Sequence, residues 1–202
     1  AYPVLYAGGA VVIDRWLLNL RPWLQHATAT LLFAGIAANV LVVVVFVLPI
    51  APINSRWWNA ATKVNGDLVE EIGWPDLVDT VAQVRDSLPA NDRGHVGILA
   101  GNYGEAGAIN LYGPEHGLAP AISGMNSYWA RGYGNPPPEV LIVLGHSREF
   151  VERHFESCET VGRVSNRHGV ANEESTRRPE IFVCRRLRQP WPEFWKEYRH
   201  YG

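Results

Sequence analysis

The sequence predicts an α/β protein preceded by one and a half transmembrane helices. Its soluble part reads as a Rossmann-like three-layer domain that ends in an antiparallel strand pair. Three observations carry this. Residues 27–53, A-T-A-T-L-L-F-A-G-I-A-A-N-V-L-V-V-V-V-F-V-L-P-I-A-P-I, hold no charge. From residue 66 onward, short apolar runs alternate with amphipathic stretches, the pattern of a parallel sheet with helices on its faces. Residues 159–165 and 180–186 then read as two strands joined by a polar excursion.

The uncharged run at 27–53 has the length of a membrane span. As a helix, about 22 of its residues would cover the ~30 Å hydrocarbon core of a bilayer. It is too long for a buried strand. Its strongly polar side chain is Asn39, which a neighbouring helix can satisfy. Pro49 and Pro52 stand where the helix should end. Residues 1–13, A-Y-P-V-L-Y-A-G-G-A-V-V-I, are also uncharged and too short to span, but suit the last half of a span begun upstream. The start shows no initiator Met, basic n-region or cleavage site, so it reads as a cut inside a longer chain rather than a signal peptide. The expected loop 14–26 carries Arg15, Arg21 and His26 against Asp14, with Trp16 and Trp23 at its edges. That basic bias points to the cytoplasmic side and makes the run an outgoing span. The expected division is therefore a membrane part at 1–53, an interfacial linker at 54–65 whose Trp57-Trp58 pair either sits at the interface or packs under the soluble domain, and an extracytoplasmic domain at 66–202. The inner membrane is the expected location and the lipid bilayer an expected partner.

The later segments follow in order. Residues 75–88 place Leu77, Val78, Val81, Val84 and Leu88 on one helical face, with Pro75 in the first turn and Pro89 as the stop. Residues 95–100 read as a strand, 105–113 as a helix closed by Gly113, and 120–123 as a second strand. Residues 139–144, E-V-L-I-V-L, are the clearest strand, followed by a helix at 147–155 with Ser147 as N-cap. The tail W-P-E-F-W-K-E-Y-R-H-Y-G reads as a short aromatic helix. Cys158 and Cys184 either form one disulfide or stand as two small buried hydrophobes, and the compartment decides. An antiparallel strand pair could bring Cys158 and Cys184 together, and an oxidising exterior would permit the bond without requiring it.

Net charge is −2, with 18 Lys and Arg against 20 Asp and Glu, which argues against nucleic acid as a partner. The seven His residues show no H-x-x-x-H or H-E-x-x-H spacing, so no metal site is expected in this segment. No G-x-S-x-G elbow is present. G-N-Y-G-E-A-G at 101–107 follows a strand and opens a helix, but its spacing is not G-x-G-x-x-G. Glu105 also stands where a pyrophosphate would bind. In an open α/β sheet, ligands bind beyond the carboxyl ends of the strands. The three loops there offer Asn102, Tyr103 and Glu105; then Asn126, Tyr128, Trp129 and Arg131; then His146. Aromatic faces, amides and a carboxylate are the mixture that binds sugars. The same Asn and Ser residues suit helix caps and turns, and the same aromatics suit loop packing.

A-Y-P-V-L-Y-A-G-G-A, the basic loop, a span ending in L-P-I-A-P, W-P-D-L-V, G-N-Y-G-E-A-G-A-I-N-L-Y-G, I-S-G-M-N-S-Y-W and N-E-E together resemble the C-terminal part of bacterial family 39 glycosyltransferases. These are multi-span membrane enzymes similar to protein O-mannosyltransferases and to the lipid A aminoarabinose transferase. The resemblance implies transfer of a sugar from a polyprenyl-phosphate donor on the outer side of the membrane, with a divalent metal in some members. It also implies a catalytic acidic residue in the first extracytoplasmic loop, upstream of Ala1. No residue here inherits a catalytic role. The alternative expectation is a membrane-anchored outer module that binds carbohydrate or lipid head groups without catalysis.

Overall fold

The structure, a computed structural model, describes residues 2–48 and 50–201. Pro49, one of the two prolines expected to end the span, lies outside the described residues. The chain folds as two compact units, Ala1–Asn65 and Gly66–Gly202.

In the first unit, α1 (Tyr2–Leu18) and α2 (Pro22–Val47) are joined by a short turn. The expected loop 14–26 is therefore much shorter. Asp14 and Arg15 lie inside α1 because nothing between them and Leu18 breaks a helix, and Pro22 begins α2 at its first turn. Gln25 donates its amide to the carbonyls of Leu18 (3.2 Å) and Leu20 (3.0 Å), and Asn19 donates to Arg15 O at 2.9 Å. These bonds satisfy carbonyls left open at the end of α1. α2 has 26 residues, is long and apolar enough to cross a membrane, and buries none of them within the chain. It starts five residues before the uncharged run and ends at Val47, so residues 50–53 of the run lie beyond it. α3 (Arg56–Val64) is capped by Ser55, whose hydroxyl accepts Trp58 N–H at 3.1 Å. Trp58 is buried and Trp57 half exposed.

The second unit opens with a short helix, α4 (Asp67–Glu70), then α5 (Trp74–Ser87) and α6 (Ala90–Arg93). β1 (Val96–Ala100) is buried along its whole length. α7 (Tyr103–Tyr112) leads to the two-residue β2 (Ala121–Ile122). β3 (Val140–Leu144), α8 (Arg148–His154), β4 (Phe155–Arg163), α9 (Glu173–Thr176), β5 (Glu180–Leu187) and α10 (Trp191–Glu197) complete the chain. The five strands form one mixed sheet in the order β2-β1-β3-β5-β4. β1 pairs in parallel with β2 and β3, with Ile98 opposite Ala121 and Ile142. β5 runs antiparallel to both β3 and β4.

Side chains alternate across the sheet. Ile98, Ala100, Ile142, Leu144, Ile181 and Val183 face one way and pack with α5 (Leu77, Val78, Val81, Val84) and α7 (Ala106, Ile109). Leu99, Leu141, Val143, Phe182 and Cys184 face the other way and pack with Val151 of α8 and with Phe194, Trp195 and Tyr198 of the tail. Two apolar layers thus hold the sheet, and burial of a large apolar side chain contributes about 1.5–3 kcal/mol. Gly113 closes α7 as expected, standing as its C-cap residue. It stays helical (φ −60°), the chain runs on through a 3₁₀ turn to His116, and Gly117 takes the left-handed position (φ 68°). Cys158 and Cys184 are register partners on β4 and β5 and are joined by a disulfide.

Candidate functional site

The strand order fixes where a crevice can form. The chain leaves β1 into α7, which packs on one face. It leaves β3 into α8, which packs on the other. Loops departing in opposite directions from neighbouring parallel strands make the switch point at which open α/β sheets bind ligands. Here those loops are Gly101-Asn102 and Gly145-His146-Ser147.

The two loops touch backbone to backbone. A Cβ on Gly101 would collide with the Gly145 carbonyl, and a Cβ on Gly145 (φ 69°) would collide with the Glu105 carboxylate. Asn102 caps α7: its side-chain oxygen accepts Glu105 N–H at 2.8 Å, and Glu105 Oε2 accepts the N–H groups of Gly101 (2.9 Å) and Asn102 (3.2 Å). This reciprocal capping box explains both residues locally. It also seats a carboxylate where a dinucleotide fold would hold phosphate. Burial pushes Glu105 up to about 7, against the backbone N–H bond from Asn102 that holds it down, with Glu174 adding to the rise.

His146 and the tail fill the rest. His146 Nε2 lies 2.7 Å from the Tyr198 hydroxyl, which donates to Ala100 O at 3.2 Å. With the tyrosine proton directed at the carbonyl, His146 donates from Nε2 and stays neutral. Burial holds its pKa down at about 3, with Arg178 adding to the effect. Burial likewise raises Tyr198 well above its ordinary value. His200 Nε2 reaches Gly101 O at 3.2 Å, and its Nδ1 reaches Tyr198 O at 2.8 Å. What stays open is a cleft of ≈ 210 Å³ bordered by Asn102, Glu105, Glu174, Arg177, Arg178 and His200. A neighbouring hollow of ≈ 300 Å³ is bordered by His146, Phe150, His154 and Phe194. Glu105 has a pKa suited to proton transfer near neutral pH, but it is 2% exposed and held by two N–H groups. The arrangement therefore binds and braces rather than presenting an open acid or base.

The predicted residues separate. Asn102, Glu105 and His146 meet at this crevice, and Tyr103 stands exposed beside it. Trp129 donates its indole N–H to Trp195 O at 2.8 Å and stacks on that ring at 6.4 Å. Asn126 takes a left-handed turn (φ 51°) and donates its N–H to His200 O at 3.0 Å. The Tyr128 hydroxyl accepts from Asn110 at 3.4 Å, and the Arg131 guanidinium lies 4.4 Å from the Tyr128 ring centroid. Arg131 borders a different cavity, ≈ 720 Å³, at the amino ends of β1, β2 and β3. Sequence reasoning missed this cavity, and it missed Tyr198, His200 and Arg178 at the crevice. The polar residues of the aromatic tail were the signal for the first two. Among the described residues no three His, Cys, Asp or Glu side chains gather as a metal ion would require. No family model, no curated protein and no solved structure matches this chain.

Proposed function

We propose that this chain is the C-terminal part of an integral-membrane glycosyltransferase that uses a polyprenyl-phosphate-linked sugar donor. In this reading the Rossmann-like three-layer unit lies outside the cytoplasm, covers the membrane active site and assists in recognising the acceptor. The observation that carries it is the pairing of a span-length apolar helix, unburied within the chain, with the G-N-Y-G-E-A-G-A-I-N-L-Y-G segment of the resemblance. That segment builds the switch-point crevice through Asn102 and Glu105. The disulfide supports an oxidising side of the membrane. Catalysis, and the divalent metal that some members use, are assigned to membrane regions upstream of Ala1.

The test uses the full-length protein, with the sequence preceding Ala1, in native membranes. A panel of radiolabelled polyprenyl-phosphate sugars is offered, and label reaching the acceptor is measured. Transfer from at least one donor is expected, falling sharply when residues 66–202 are deleted. Absence of transfer from every donor would overturn the reading.

A further inference from the structure

We propose that the ≈ 720 Å³ cavity at the amino ends of β1, β2 and β3 is a saccharide site that seats a neutral pyranose unit against Tyr133. It lies at the opposite end of the strands from the switch-point crevice. Where the acceptor docks rests on the glycosyltransferase reading; the binding itself does not.

Size comes first. The volume falls within the ~300–1,000 Å³ of small-molecule sites, whereas the switch-point cleft falls below it and is braced by its own side chains. The wall is also preformed. Residues 136–138 are a proline run lying directly on β1: a Cβ on Gly97 would stand 2.6 Å from Pro138 Cγ. Trp191 donates its indole N–H to Pro138 O at 3.3 Å, and Tyr133 stacks on Trp191 at 4.9 Å. The Tyr133 ring is thereby fixed at the cavity edge before any ligand arrives.

The chemistry of the lining then selects the ligand. An aromatic ring takes the C–H face of a pyranose, while hydroxyls need both donors and acceptors around them. The cavity offers Tyr133, the Arg131 guanidinium, the Asn91 amide, the His95 imidazole and the Glu139 carboxylate. The Asp92 carboxylate also borders it but is bound to Arg185 at 2.8 Å. A nucleotide would need cations gathered for its phosphates. Here Asp92 is taken by Arg185, which leaves one guanidinium, Arg131, and one carboxylate, Glu139, in the lining, so a neutral polyol fits better.

The test titrates the 202-residue chain, held in phosphocholine-detergent micelles free of sugar head groups, with methyl glucoside, galactoside and mannoside and with maltose, lactose and cellobiose. Binding is read by tryptophan fluorescence, which the Trp191–Tyr133 stack makes responsive. Saturable binding of at least one probe at about 1 mM or tighter is expected. Tyr133→Ala should weaken it at least about tenfold and Arg131→Ala by about threefold, while Arg153→Ala on α8 leaves it unchanged. Arg131 is exposed, so its variant tests the site even if Tyr133→Ala fails to fold. Absence of saturable binding by the whole panel, or unchanged affinity in a folded Arg131→Ala protein, overturns the proposal. In the full-length enzyme, Arg131→Ala should raise the acceptor KM and leave kcat unaltered. A full-length protein that transfers nothing defeats the glycosyltransferase reading, and the titration still decides the cavity.

Discussion

Gly145 is the tightest point of the crevice. Its left-handed backbone and the Glu105 carboxylate beside it both exclude a side chain. Gly145→Ala should therefore destabilise the α/β unit by about 2 kcal/mol or more, from backbone strain plus the collision. Gly94 has a negative φ and open space around it, so Gly94→Ala should be near neutral. Urea unfolding followed by tryptophan fluorescence separates the two. Glu105 makes a second residue-scale prediction. Its folded pKa is raised from 4.5 to about 7, so below pH 4.5 it is neutral in both states and costs nothing. As pH rises from 4.5 to 7 the unfolded state ionises first, and stability is lost, up to about 3 kcal/mol above pH 7. His146 acts in the opposite sense: its pKa falls from 6.5 to about 3, so stability is lost as pH drops below 6.5. Glu105→Gln cancels only the first effect. Its stability relative to the parent should be clearly higher at pH 8 than at pH 5, and an equal difference at both values would count against the burial of an ionised Glu105. Glu173, Glu174 and Tyr198 act on Glu105 through this range, and Arg177, Arg178 and His200 border the same cleft.

At the scale of elements, β4 is an edge strand held to β5 by its ladder and by the Cys158–Cys184 bond. The bond closes a loop of sequence separation 26, which holds α9 and the polar excursion. In the chain-entropy account such a loop contributes about 3–4 kcal/mol. The double variant Cys158→Ser, Cys184→Ser should unfold at lower urea by that amount, and reducing agent should move the parent toward it. The bond also marks how far local pattern reached. Continuous apolar runs specify β1 and β3, because both strands are buried on both faces. The helix at α5 shows its period of 3.6 plainly. β2 has two residues, too few for any pattern. α7 ends at Gly113 as its sequence indicates, while the left-handed position passes to Gly117 after a 3₁₀ turn that no local pattern announces. The candidate site was legible where loop followed strand, at Asn102, Glu105 and His146. It was illegible where distant segments meet: Tyr198 and Ala100 are 98 residues apart, and Trp129 turned out to serve Trp195 across 66 residues. The amino-end cavity depends on a proline run whose position over β1 no periodicity records.

For the whole molecule, the central question is on which side of a bilayer the α/β unit lies. Arg15, Arg21 and His26 sit at or beside the α1–α2 turn, with Asp14 as the nearby acid. Arg56 and Lys63 follow the far end of α2. Charge alone therefore decides orientation by a narrow margin, and the positive-inside rule weighs short loops most. The disulfide adds an independent argument, since cytosolic reductants keep such pairs open. On both grounds we propose that the turn is cytoplasmic and that residues 66–202 lie outside. The prediction joins topology and redox state. With the full-length protein in intact cells, a membrane-impermeant thiol reagent should label a single cysteine introduced at the exposed Arg153, and Cys158 and Cys184 should resist labelling until the protein is reduced. In the opposite orientation the introduced cysteine would react only after lysis, and Cys158 and Cys184 would be recovered as thiols. Placing Arg at Ile36, near the middle of α2, should cost about 2.5–3.5 kcal/mol of insertion. It should shift part of the protein out of the alkali-resistant membrane fraction if α2 spans the bilayer. An unchanged fraction would mean that α2 is not the element that holds this chain in the membrane.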